Sequence, residues 1–181
     1  GASSSIGSSI VKSFAKNNKL FLLSTKCEKL ETLKKEAIGL GCNSVKIVEA
    51  NLQSPIIVKS LLSESIDMII NAACASSSLK NYNIEPHRHY YYTAVDLSNP
   101  LVVLEHFLKE KSKQGKHTQL YYIFINTILS KIKSPDYSIY YSYKILQQEY
   151  MSGFQRKYGD ILKSINVIVG TQIDRTKETK K

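Results

Sequence analysis

Tyr140 and Lys144 stand four residues apart, a spacing that puts both side chains on one face of a helix. An ammonium beside a phenol favours the ionised form. That pairing lets a tyrosine give and take a proton from a carbonyl/alcohol pair. In a chain with 12 tyrosines and abundant lysine, roughly one or two such pairs arise by chance. The order of the surrounding residues therefore carries the weight. At the amino end, Gly1-Ala-Ser-Ser-Ser-Ile-Gly7 leads straight into an amphipathic stretch marked by Ile6, Ile10, Val11 and Phe14. Glycines ahead of a helix let backbone approach a pyrophosphate, and the helix start offers N–H groups and a positive dipole end.

The elements that must position these residues follow in alternation. An apolar run Leu20–Leu23 ends in Ser24-Thr25-Lys26, and a Lys/Glu/Leu-rich helix is expected over Cys27–Ala37. A strand over Val45–Val48 ends at Ala50-Asn51-Leu52, and another, Ile66–Ile70, closes on Asn71-Ala-Ala-Cys74. A long helix from about Pro86 to Lys109 precedes the strand Leu120–Ile125 and Asn126-Thr127. A short loop, a helix over 137–158 carrying Tyr140, and a strand Ile165–Val169 ending at Gly170 complete the series. Ser76–Ser78 and Ser112–His117 read as loops and Lys177–Lys181 as a frayed tail. Strands alternating with helices predict right-handed crossovers and a mostly parallel sheet.

In this order the motifs resemble the short-chain dehydrogenase/reductase family, in its Gly-x-x-x-Gly-x-Gly branch, across essentially all 181 residues. The phosphate loop matches at Gly1 and Gly7 and carries Ser5 at the middle glycine. Asn71-Ala72-Ala73-Cys74 stands for the family's Asn-Asn-Ala-Gly, and Thr127 falls on its catalytic serine. Asp96 falls on the relay asparagine, and Val169-Gly170 on the Pro-Gly after the sixth strand. The resemblance implies an α/β, Rossmann-like, doubly wound parallel sheet in one domain over 1–181. It implies an NAD(P)H-dependent oxidoreductase interconverting a carbonyl and a secondary alcohol, similar to 3-oxoacyl carrier-protein reductases. Tyr140 would donate the proton, Lys144 would assist it and hold the nicotinamide ribose, and Thr127 would bind the substrate oxygen, with Ser130 as stand-in. Asp96 would attract Lys144 directly or through water. Gly1, Ser3, Ser5, Ile6, Gly7, Thr25, Lys26, Asn51, Leu52, Asn71, Ala72, Tyr140, Lys144 and Gly170 would line the cofactor.

An acid at the end of the second strand would bind a ribose 2′-hydroxyl, and a base there accommodates a 2′-phosphate. Thr25-Lys26, with no acid before Glu28, points to NADP over NAD. Plainer readings stand beside these. Thr127 and Asn71 suit strand ends in any fold, Lys26 can be one more solvated lysine, and Ser5, Asp96 and Thr127 are equally departures that would suit a catalytically weak cofactor-binding or scaffold protein. By the resemblance, Gly1 stands where the first strand has just ended, and the chain stops where substrate-binding helices would follow. The sheet is thus expected to be truncated at the first strand and after the sixth, and the chain to be an interior piece of a longer reductase. Expressed alone, it would not be a competent enzyme. Helices 86–109 and 137–158 are the expected contact faces of a homo-oligomer.

A net charge of +10 raises nucleic-acid binding as a rival. Arginine is confined to Arg88, Arg156 and Arg175, and lysine is dispersed through nearly every helix. Solvated helix faces are therefore the better reading, and no nucleic-acid partner is expected. Tyr90-Tyr91-Tyr92 faces several directions on a helix, which suits packing better than base stacking. No apolar run approaches the roughly 18–20 residues of a membrane span. Cys27, Cys42 and Cys74 lack metal or disulfide spacing, so no metal and a reduced, cytoplasmic setting are expected, with Cys74 filling a small buried position.

Overall fold

A computed structural model describes residues 1–54, 65–75, 86–115, 118–132 and 138–170. The loop expected at Ser76–Ser78, the residues Lys116–His117 and the tail Lys177–Lys181 lie outside them. The element order is α1 (Ser5–Phe14), β1 (Lys19–Ser24), α2 (Cys27–Gly39), β2 (Ser44–Glu49), β3 (Met68–Asn71), α3 (Pro86–Thr93), a π-turn (Ala94–Ser98), α4 (Asn99–Lys113), β4 (Leu120–Thr127), α5 (Leu129–Ile132), α6 (Ser138–Tyr158) and β5 (Leu162–Val169). All ladders among the described residues are parallel. β1 pairs with β2 from Lys19↔Ser44 to Ser24↔Glu49. β4 lies between β3 and β5, in register from Met68↔Tyr121 and Leu120↔Leu162.

Packing follows helical and strand periods. α2 buries Leu30, Leu33 and Ala37, which join Val11, Ala15 and Leu22 in a core under the β1–β2 pair. α4 buries Leu101, Leu104, Leu108 and Lys111 on one stripe against the larger core around β4. β4 turns Leu120, Tyr122, Phe124 and Asn126 inward in strict alternation. Tyr122 and Phe124 stack at 6.1 Å. The Lys111 ammonium meets the Asp67 carboxylate at 2.8 Å and ties α4 to the start of β3.

Several expectations are corrected. The helix expected over 86–109 runs to Lys113, so Ser112 and Lys113 are helical, and it is interrupted by the π-turn. Pro100 explains the interruption: it has no N–H to return to the Asp96 carbonyl, and its ring crowds that carbonyl. β3 starts at Met68, two residues later than the apolar run predicts. Part of the loop before α6 is the helical turn α5. Tyr92 is buried in the core while Tyr90 is 77% exposed, as packing on several helix faces requires.

Candidate active site

The described strands form two parallel sheets, β1–β2 and β3–β4–β5, and the candidate residues collect at their carboxyl ends, where parallel α/β sheets bind ligands. The glycine loop lies across the ends of β1 and β3. Gly1 and Ala2 N–H groups both reach the Leu23 carbonyl, at 3.0 and 3.2 Å. A Cβ on Gly1 would fall 2.3 Å from the Ala72 carbonyl carbon. A Cβ on Gly7 would lie 2.2 Å from Gly1 O and 2.9 Å from Ala2 Cα. Ser4 caps α1: its hydroxyl accepts from Gly7 N–H at 3.0 Å and donates to Gly1 O at 2.8 Å. Loop and helix start are thus locked by backbone contact, with the positive end of α1 at the carboxyl edge. Gly7→Ala is expected to destabilise the protein by about 1–3 kcal/mol, the cost of overpacking. Urea unfolding of the variant checks this.

The other expected cofactor residues occupy that edge in different ways. Ser3 and Ser24 hydroxyls meet at 2.5 Å, joining the loop to the end of β1. Thr25 and Lys26 are exposed just beyond, and Lys26 N–H donates to Ser24 Oγ at 3.3 Å. Asn51 is exposed and caps its own turn, accepting from Gln53 N–H at 2.9 Å. The Leu52 carbonyl accepts from Asn99 Nδ2. Asn71 is turned inward: Nδ2 donates to the Tyr122 hydroxyl at 3.1 Å and Oδ1 accepts from Ala73 N–H at 3.1 Å. Its side chain thus ties the end of β3 to β4 and to the turn that follows. Burial pushes the Tyr122 phenol up to about 12, against the lowering effect of the Asn71 bond. Gly170 is exposed beyond β5.

The chemistry-bearing groups converge from four elements. Thr127, 8% exposed at the end of β4, hydrogen-bonds the Tyr140 phenol through its hydroxyl. Ser130 turns away, donating to the Thr127 carbonyl at 2.7 Å, so the hydroxyl beside Tyr140 is that of Thr127. Lys144 is 2% exposed; its ammonium donates to the Ile125 carbonyl at 3.0 Å and lies 5.9 Å from the Tyr140 ring centre. Asp96 is fully buried in the π-turn. Its Oδ1 accepts from Ala75 N–H at 2.6 Å, and Oδ2 lies 3.9 Å from Cys74 Sγ.

Two findings depart from the sequence reading. Cys74 does not fill an inert core position: it is partly exposed and meets both Asp96 and the Tyr140 hydroxyl. The Tyr140 phenol is pushed up from its ordinary value rather than down. Burial is the largest cause, the charges of Cys74 and Asp96 and the Cys74 hydrogen bond add to it, and the Thr127 hydrogen bond opposes it.

Gln147, 2% exposed, donates through Nε2 to the Asp96 main-chain carbonyl. Sequence reasoning missed it, although Tyr140, Lys144 and Gln147 follow i, i+4, i+7 spacing on α6. Among the described residues no cluster of His, Cys, Asp and Glu could hold a metal ion, and no helix is long and apolar enough to cross a membrane.

No family model matches this sequence, and no curated protein matches it. Solved structures do. The chain is similar to the bulky-bulky ketone specific alcohol dehydrogenase from Comamonas testosteroni, at 17% identity and a TM-score of 0.84, over 94% of this chain and 70% of that one. It is similar to a 3-oxoacyl (acyl-carrier-protein) reductase from Agrobacterium tumefaciens C58 with NADP bound, at 17% identity and 0.81, over 98% and 70%. The NADH-dependent reductase A1-R′ complexed with NAD gives 16% and 0.82, over 94% and 76%. The fold is therefore the Rossmann-like fold of short-chain dehydrogenases/reductases.

Proposed function

We propose that this chain, built on that fold, belongs to the short-chain dehydrogenases/reductases and works as an NADP-dependent oxidoreductase that interconverts a carbonyl and a secondary alcohol. The observation that carries the reading is the meeting of the Tyr140 and Thr127 hydroxyls over buried Lys144, at the strand ends where the glycine loop lies. Two glycines in backbone contact and a capped helix start fit a dinucleotide, with Gly1–Gly7 against its phosphates and Lys26 at its 2′-phosphate. When bound, the nicotinamide supplies or accepts hydride. Tyr140 then gives its proton to the carbonyl oxygen, which Thr127 holds by a hydrogen bond. Lys144 stabilises the phenolate left behind and reaches the nicotinamide ribose. The reaction in view is similar to that of 3-oxoacyl carrier-protein reductases. Cys27, Cys42 and Cys74, none of them in a disulfide, fit a cytoplasmic setting. Exposed Val102 on α4 and Leu146 and Tyr150 on α6 fit association of copies through those helices.

NADPH is expected to bind at least about tenfold more tightly than NADH, a difference of ~1.4 kcal/mol, within the reach of one charge-assisted bond. Lys26→Asp should erase or reverse the preference by setting a carboxylate against the 2′-phosphate. Parallel titrations of both nucleotides test this, and tighter NADH binding by the unmodified protein would sink it. A second reading, a cofactor-binding protein with weak catalysis, draws on Ser5 in the glycine loop and Asp96 at the relay position. Nucleotide binding without hydride transfer to any carbonyl would favour it.

A further inference from the structure

Tyr122 is 1% exposed and belongs to the core cluster that holds Leu104, Leu108, Leu120 and Phe124. A phenylalanine would fill that place with no polar atom to bury, and a buried hydroxyl is costly unless it is hydrogen-bonded. Its partner is Asn71, 7% exposed, whose Nδ2 donates to the hydroxyl at 3.1 Å. The register explains the meeting. Ile69 lies beside Tyr122 in the parallel β3–β4 ladder, so Asn71 stands two residues nearer the carboxyl edge, within reach of the long phenol. The stack on Phe124 at 6.1 Å holds the ring in that direction.

The other end of the Asn71 amide faces the glycine loop's support. Oδ1 accepts from Ala73 N–H at 3.1 Å. Gly1 rests on the peptide that this bond holds: a Cβ on Gly1 would fall into Ala72 C, Ala72 O and Ala73 N alike, so the loop has no slack on that side. Gly1 O in turn accepts from the Ser4 hydroxyl at 2.8 Å and from Ser4 N–H at 3.1 Å, and Ser4 Oγ caps Gly7 N–H at the start of α1. We propose that Tyr122 is a positioning residue for the glycine loop: its hydroxyl fixes the Asn71 amide, the amide holds the Ala72–Ala73 peptide, and that peptide seats Gly1 and, through it, Ser4 and the start of α1. The amide serves both partners in one orientation only. Turned over, it would set its NH2 against the Ala73 N–H, donor against donor. Without the hydroxyl, Nδ2 loses a buried acceptor, and the orientation that serves Ala73 loses its advantage. The effect on nucleotide rests on the reading that Gly1–Gly7 holds a dinucleotide's phosphates; the seating of the loop does not.

The test is Tyr122→Phe in the full-length protein, which removes one oxygen and keeps the ring. The Kd for NADPH should rise about tenfold, the scale of one lost buried hydrogen bond. Hydrogen exchange followed by NMR should show the Ala73 amide, and the Ala2 amide that bonds Leu23 O, exchanging faster by about as much. A hydroxyl that only stabilises the fold would speed the β4 and β5 ladder amides, which open with the whole domain, and leave Ala2, Ala73 and the NADPH Kd unchanged; that result overturns the proposal. Asn71→Ala should raise the Kd at least as far, and Tyr122→Phe added to it should raise it no further, because the hydroxyl acts only through Asn71. Additive losses would contradict this. Should Tyr122→Phe not fold, Asn71→Ala decides, and an unchanged NADPH Kd there overturns the proposal equally. If the unmodified protein binds no NADPH, the nucleotide reading fails, and the Ala2 and Ala73 exchange rates alone decide whether Tyr122 seats the loop.

Discussion

Tyr140→Phe is expected to cut carbonyl reduction by roughly 10²–10⁴-fold, the usual worth of a positioned proton donor, while NADPH affinity stays close to that of the unmodified protein. The substitution removes one oxygen. The ring keeps its place on α6, partly buried over Lys144, so the loop at Gly1–Gly7 has no reason to move. The loss should therefore fall on turnover alone. Because burial, Cys74 and Asp96 push the phenol up, reduction by the unmodified protein should not decline through Tyr140 ionisation below about pH 10, the ordinary tyrosine value. Near-normal reduction by Tyr140→Phe with a defined ketone would mean that the proton comes from elsewhere.

Lys144→Ala is expected to act on binding and turnover together. Lys144 is buried, and its ammonium satisfies the Ile125 carbonyl at 3.0 Å. Truncation leaves a cavity and an unpaired acceptor, which costs about 1–3 kcal/mol of stability for the acceptor alone. It also removes a positive charge 5.9 Å from the Tyr140 ring, which favours ionisation of the phenol, and the proposed ribose contact. Turnover should fall roughly 10²–10³-fold, the scale for losing one aligned donor in a catalytic site, and NADPH should bind more weakly. Lys144→Met separates the parts: it fills the stem's volume, so stability should largely return while turnover stays low. Recovery of turnover by Lys144→Met would remove the ammonium from the mechanism.

The alternation of apolar runs with amphipathic stretches made the element order and the parallel pairing legible, because buried strands and half-buried helices have different periods. Boundaries slipped where tertiary contacts decide. Ser112 and Lys113 stay helical in a helix whose Lys111 is held by Asp67, 44 residues away. The pairing of Tyr140 with Lys144 was legible from spacing, and Thr127 from its place at the end of β4. Two things were not. The shift of the Tyr140 phenol depends on burial and on Cys74 and Asp96, which arrive from distant parts of the chain. The second is the bond from Gln147 Nε2 to the Asp96 main-chain carbonyl, which joins residues 51 positions apart and which spacing along α6 does not reveal.

The central claim is that this site moves a hydride and a proton together. Its most direct test is incubation of the full-length protein with NADPH carrying deuterium at the nicotinamide C4 and a panel of ketones and 3-oxoacyl thioesters, with the alcohols read by mass spectrometry. The account predicts an alcohol with deuterium on the carbinol carbon, formed by the unmodified protein and not by Tyr140→Phe. Saturable NADPH binding with no deuterium in any product would contradict it and leave a cofactor-binding protein on a reductase fold.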